Sequence, residues 1–260
     1  MGKQTAHKFY MEHSILLIVP LVFFVAVLYS IVGHGGASGY IAVLTLFSIP
    51  AVVVASTALV LNLVVAGISM LYFWRGGHFR FHLLWPFLVT SMPAAYLGGA
   101  IMIDAKTYEF ILSLVLLFAA YRLLIGKNKI KNINDFPEKI WMKLGLGAVL
   151  GFISGLIGVG GGIFLSPLLL FLGWADAKAT ASVSAVFIFF NSITGILGRV
   201  NHHNFSLGID GIGWIFLAAI IGSLLGSRLG AYKFTSPILY RVLGTVLFLA
   251  GVKLLLGFFI

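Results

Sequence analysis

Seven stretches of this chain run for about 18 to 23 residues with almost no charge: Ser14–Ile31, Val52–Trp74, Leu83–Ile103, Thr107–Ile125, Thr180–Leu197, Trp214–Ala231 and Pro237–Phe259. A helix rises 1.5 Å per residue, so roughly 20 mainly apolar residues cross a bilayer. Backbone polar groups in lipid must be satisfied internally, which leaves helices as the spanning element for runs of this kind. The chain therefore reads as an all-α polytopic membrane protein. Charged residues are 9% of the chain and hydrophobic residues 60%, whereas soluble domains carry about 25% charge. A soluble enzyme and a free nucleic-acid binder are excluded by that deficit, and disorder by the apolar excess. With no cysteine, disulfides, thiolate metal sites and thiol catalysis are excluded too. The net charge of +10 then points to basic cytoplasmic loops.

Three apolar pieces, 40–49, 144–157 and 163–172, are too short to span alone on this reading. Trp74, Trp85, Trp141, Trp174 and Trp214 all fall at segment ends, where indole suits the headgroup level. Lys3 and Lys8 ahead of Ser14–Ile31 have the look of a secretory leader. The segment is read as retained, because it has a counterpart later in the chain.

That counterpart belongs to an internal repeat. Ile31–Ala37 (IVGHGGA) aligns with Leu156–Gly162 (LIGVGGG) at an offset of 125 residues. Leu112–Gly126 aligns with Leu243–Gly257, and Leu97-Gly98-Gly99 with Leu225-Gly226-Ser227 between them. We divide the chain into a first transmembrane repeat (1–126), a basic cytoplasmic linker (127–143) and a second repeat (144–260). Each pseudo-symmetric half holds about five helical segments: a helix, a glycine turn, a short helix and three long ones. If the first helix and the short one form a hairpin entering and leaving one leaflet, each half crosses three times. If both cross, it crosses five times. Either odd count inverts the second half. If the first crosses and the short one re-enters, the repeats are parallel. Inverted repeats leave Lys3, Lys8, Lys106, Arg199 and Lys253 outside and put 12 of 17 Lys and Arg in the cytoplasm. The parallel arrangement also gives 12, so charge does not choose. Inverted repeats are preferred by analogy with secondary transporters.

Each glycine turn opens a short helix. Helix N-termini leave N–H groups unpaired and carry about half a positive charge. Glycine lets several N–H groups converge on one anion at close range. Gly33, Gly35 and Gly36, with Ser38, form the first candidate cradle; Gly158, Gly160, Gly161 and Gly162 form the second. The seven carboxylates all fit segment ends or loops, so the acid a buried cation site requires is missing from the apolar spans. A small anion is favoured. Gly98, Gly99, Gly222 and Gly226 read as helix-packing glycines, and a dinucleotide loop is discounted because no strand precedes the cluster.

Asn62 and Asn191 sit in long apolar helices of opposite halves, where an amide needs partners or a wet cavity. Ser182 accompanies them, with Ser56, Thr57, Thr180, Ser184, Ser192 and Thr194. Serine bonding its own helix is the commoner arrangement. His34 is the titratable group inside a glycine turn, able to bind an anion when protonated or to pass a proton. His78/His82 and His202-His203 have no carboxylate beside them and are not read as metal sites. No catalytic constellation, metal site or cofactor motif can be assembled.

The turn Gly158–Gly162, with Ser166-Pro167-Leu168 and then Ala179-Thr180-Ala181-Ser182, resembles the sulfite exporter TauE/SafE family. The resemblance implies secondary transport of a small sulfur oxyanion or organosulfonate across a prokaryotic plasma membrane, by a multi-pass protein embedded in the bilayer. The matched glycines are Gly33, Gly35 and Gly36 in the first half and Gly158, Gly160, Gly161 and Gly162 in the second. Here His34, Ala37 and Ser38 interrupt the first glycine run, and Ala42 stands opposite Pro167. The two turns are therefore expected to do unequal jobs. The substrate is expected between them and the helices bearing Asn62 and Asn191, with an anion channel as the alternative. The implied partners are the anion and the lipid bilayer, with no nucleic acid; a homodimer is left open.

Overall fold

The computed structural model describes residues 2–47, 49–101, 113, 117, 120, 121, 124, 139–209 and 211–259, without the side chains of 2–14, 51, 250, 254 and 257–259. The segment Thr107–Ile125 and most of the 127–143 linker lie outside the described residues, apart from isolated helical positions. The elements are α1 (Gly2–Ile31), α2 (Ala37–Leu46), α3 (Ala51–Arg75), α4 (Phe81–Ala100), α5 (Ile140–Ile157), α6 (Gly162–Phe171), α7 (Ala177–Asn201), α8 (Ile212–Arg228) and α9 (Ser236–Phe259). A π-helical turn, Leu229–Lys233, extends α8. No strand occurs among the described residues.

Six of these helices are long and apolar enough to cross a membrane: those within Val52–Arg75, Phe81–Ala100, Ile140–Ile157, Ala177–Asn201, Ile212–Lys233 and Ser236–Lys253. Large apolar side chains point outward on these helices and on α1. Leu16 is 72% exposed and Trp141 80%, as expected of a surface solvated by lipid tails. Two expectations change. The apolar piece 144–157 is not short, because α5 begins at Ile140 and takes in Trp141, Met142 and Lys143. Trp174 is not a headgroup anchor: it is 1% exposed, packed on Phe87, with the Lys143 ammonium 5.5 Å from its ring centre.

Small residues fix how the helices pair. Gly147, Gly151 and Gly155 of α5 meet the backbone of Phe87, Ser91 and Ala95 of α4 in turn. Gly222 and Gly226 of α8, then Gly230, meet Phe23, Val27 and Ile31 of α1. A methyl on Gly155 or Gly226 would overlap a carbonyl oxygen of the facing helix. Dispersion at such close range substitutes for the hydrophobic drive that helices lack in lipid. In both pairs the residue numbers rise together, so α4 runs with α5 and α1 runs with α8. The register of α3 on α7 is the reverse. Asn62 meets Ser192, Gly67 meets Phe189 and Phe73 clusters with Ala181, so these two helices are antiparallel.

The short helices fold back. Gly39 of α2 lies on Val25 and Tyr29 of α1, and the Tyr29 hydroxyl is 2.9 Å from Ser38 Oγ. The α5–α6 hairpin returns to its starting level, since Lys143 near its entry meets Trp174 just past its exit. Beside that exit Asp176 caps α7, accepting from the Lys178 and Ala179 N–H groups. Arg80 at the start of α4 bonds the same carboxylate at 3.2 Å.

Candidate functional site: two opposed glycine tips

The two hairpin tips are built alike. In the first, Gly33 has φ +73°, its N–H bonds Ser30 O, and the His34 N–H bonds Tyr29 O at 2.9 Å. In the second, Gly158 has φ +81°, and the N–H groups of Gly158 and Val159 both reach Ser154 O. Both are left-handed glycine stops that satisfy the last carbonyls of a helix.

The helices that leave the tips are capped differently. Gly36 and Gly161, at the N-caps of α2 and α6, adopt positive φ and offer no side-chain cap. Among the described residues, no hydrogen bond takes the N–H of Gly35, Gly36, Ser38 or Gly39, nor that of Gly160, Gly161, Gly162 or Ile163. Each tip thus carries a run of free amides at the positive end of a short helix, the arrangement that binds anions elsewhere.

Asn62 of α3 ties the tips together. Its Oδ1 accepts from the Ala37 N–H of the first tip at 3.2 Å. Its Nδ2 donates to Val159 O of the second tip at 3.2 Å and to Ser192 Oγ of α7 at 3.1 Å. His34 makes the second tie. Its Nε2 lies 2.9 Å from Gly162 O and 3.0 Å from Ser166 Oγ of α6, which is 2.7 Å from Ser184 Oγ of α7.

The remaining predicted residues divide. The Ser38 hydroxyl is taken by Tyr29 within its own hairpin. Ser182 is buried with its hydroxyl unpartnered, next to Ala181, whose backbone meets Gly33. Asn191 does not mirror Asn62: its Nδ2 bonds Phe187 O in its own helix at 2.8 Å, leaving Oδ1 without a partner. Ile188 faces the tips instead, against Gly160 and Gly162. Close approach explains several glycines by itself. A Cβ on Gly33 would overlap the Ala181 carbonyl, and one on Gly35 or Gly160 the Asn62 side chain. A bulky substitution at Gly160 would therefore disrupt packing whether or not its amide meets a ligand.

Three serines and one arginine that the sequence reading named but did not place in the site also reach the tips or their ties. Ser166, Ser184 and Ser192 bond across helices rather than to their own backbone. Ser184, Ile188 and Ser192 lie four residues apart, on one face of α7, and that spacing was the available signal. Arg199, counted among the cations outside, reaches the second tip: its Nη2 donates to Leu156 O at 3.2 Å and its Nε is unpartnered among the described residues. No group of three or more His, Asp or Glu side chains that could hold a metal occurs among the described residues.

A multi-pass helical protein with paired glycine-tipped hairpins is the class that fold and site define, and its relatives agree. Residues 18–254 match the sulfite exporter TauE/SafE family, and the chain belongs to that family. It is 32% identical over 236 residues to the probable membrane transporter protein y4hK of Sinorhizobium fredii, covering 90% of this chain and 95% of that one. It is 26% identical over 267 residues to the probable membrane transporter protein MJ0441 of Methanocaldococcus jannaschii, covering 95% and 98%. Probable membrane transporter protein YunE of Bacillus subtilis is 30% identical over 112 residues, covering 41% of this chain and 38% of that one. No solved structure matches. The chain is a membrane transporter of the TauE/SafE type.

Proposed function

We propose that the chain is a secondary carrier that moves a small sulfur oxyanion or organosulfonate across a prokaryotic plasma membrane, binding it between the two hairpin tips. The observation that carries this reading is the pair of free-amide runs, at Gly35, Gly36, Ser38 and Gly39 and at Gly160–Ile163, with the one carboxylate whose side chain is described, Asp176, engaged away from both tips. Several weak donors suit a cargo that must also leave. Gly33, His34, Gly36, Ser38, Gly158 and Ser182 shape the cradle, and Asn62 holds it. Asn191, bonded to its own helix, is assigned a lesser part.

Alternating access by inverted repeats is part of the proposal. The equivalent helices α3 and α7 run antiparallel in register, and the α5–α6 hairpin returns to the level it came from. The pairs α1–α8 and α4–α5 exchange under the same symmetry. Arg75, Arg80, Lys139, Lys143, Lys178, Arg228 and Lys233 then share one face, assigned to the cytoplasm by the positive-inside rule. The direct Asn62 bonds between the tips favour a carrier over an open channel, since the tips must part for an ion to pass.

Purified protein in liposomes, offered sulfite, sulfate, thiosulfate, sulfoacetate and chloride, is the test. Saturable countertransport of a sulfur anion is expected. Preference for a metal cation or a neutral sugar, or conduction without countertransport, would refute the proposal.

A further inference from the structure

We infer that His34 binds the coupling proton: the anion and one proton load together, the proton on Nδ1 of His34. This rests on the proposed function and deepens it. The Gly162 carbonyl can only accept a hydrogen bond, so its 2.9 Å contact with Nε2 requires the hydrogen on Nε2. Ser166 Oγ, 3.0 Å from the same nitrogen, then accepts from it and shares a hydrogen bond with Ser184 Oγ at 2.7 Å. A neutral ring held in that tautomer leaves Nδ1 as a bare acceptor. Nδ1 has no partner among the described residues, and His34 is 2% exposed.

Among the described residues, the surroundings hold no fixed countercharge. From α1, Tyr29 faces the ring edge-on at 6.5 Å, its hydroxyl engaged by Ser38. From α2 comes the buried Tyr40, α3 presents Asn62, and α6 and α7 present Ser166 and Ser184. The α7 lysine on this level, Lys178, is bonded to Ala231 O. A proton arriving on Nδ1 would create a buried positive charge, costly if left alone. An anion on the neighbouring amides supplies the missing negative charge. The proton in turn supplies the full positive charge that amides lack. Each favours the other's binding, and such linkage is reciprocal. Position 159, the counterpart of His34 in the second tip, is valine, so the two tips hold one proton per anion.

The test uses the full chain in liposomes with thiosulfate, sulfate or methanesulfonate, which do not titrate between about pH 5 and 8, where imidazole does. Wild-type vesicles are expected to acidify as the anion enters. Their half-saturating anion concentration should rise about tenfold per pH unit on the alkaline limb, as one bound proton per anion requires. His34→Gln keeps an N–H for Gly162 O but cannot take up a proton. Without the proton's charge it should bind the anion more weakly, and the exchange that remains should carry no acidification and show a flat pH profile. Acidification by His34→Gln at the wild-type ratio to anion would overturn the inference. So would a flat wild-type profile, which decides the matter even if the variant fails to fold. Wild-type vesicles that exchange none of these anions, nor sulfite or sulfoacetate, would instead refute the proposed function itself.

Discussion

Replacing Asn62 by alanine should unfasten the two tips, and the cost can be worked from its bonds. Three are lost: those with the Ala37 N–H at 3.2 Å, Val159 O at 3.2 Å and Ser192 Oγ at 3.1 Å. The Ser192 hydroxyl can rotate to a carbonyl of its own helix. The Ala37 amide and the Val159 carbonyl cannot turn, and each buried group left unpaired costs about 1–3 kcal/mol. The bonds are long, and interhelical bonds in membranes average only about 0.6 kcal/mol. We therefore expect a loss of about 2–4 kcal/mol, with anion affinity falling alongside it. Asn191→Ala is the internal control. It severs only a bond to its own helix at Phe187 O and should cost under about 1 kcal/mol. Thermal unfolding in detergent, run beside anion exchange in liposomes, measures both. Equal effects at the two asparagines, or an Asn62→Ala variant as stable as wild type, would refute the reasoning.

Further expectations concern packing, capping and sidedness. Gly155→Ala drives a methyl into the Ala95 carbonyl and should cost about 1–3 kcal/mol in unfolding experiments. Gly145→Ala, with nothing within 4 Å of its Cβ, should be neutral or stabilise by about 0.5–1 kcal/mol. Asp176→Ala removes the cap on Lys178 and Ala179 and should cost about 0.5–2 kcal/mol, most of it restored by asparagine. The Arg80 pair adds little, because its side chains are 34% and 38% exposed. The chain has no cysteine, so single cysteines at Lys178 and His203 can be labelled directly in cells. They should react from opposite sides of the membrane, and reaction from one side would contradict the inverted arrangement.

The sequence carried the all-helical class and the glycine helix stops well, because each has a local cause. Lipid demands long apolar runs, and a left-handed helix stop demands glycine. Gly33 and Gly158 therefore stood out at one offset without any structure. What was hidden depended on partners distant in sequence. Asn62 and Asn191 look equivalent along the chain, but only the first faces the tips, because facing is set by the rotation of α3 and α7 about their axes. Ser166 owes its role to His34, 132 residues away. Trp174 sits at a segment end as an anchor would, but α4 and α5 close over it. The start of α5 was blurred because Lys143 counts as polar in sequence while it is buried with its ammonium over the Trp174 ring.

The most direct test is to locate the anion. A structure with selenate as an anomalously scattering stand-in for a sulfur oxyanion should show its peak between the tips, within hydrogen-bonding distance of amides in Gly35–Gly39 and Gly160–Ile163. A peak confined to the basic face near Arg75, Arg80 and Lys178, with none at the tips, would contradict the account.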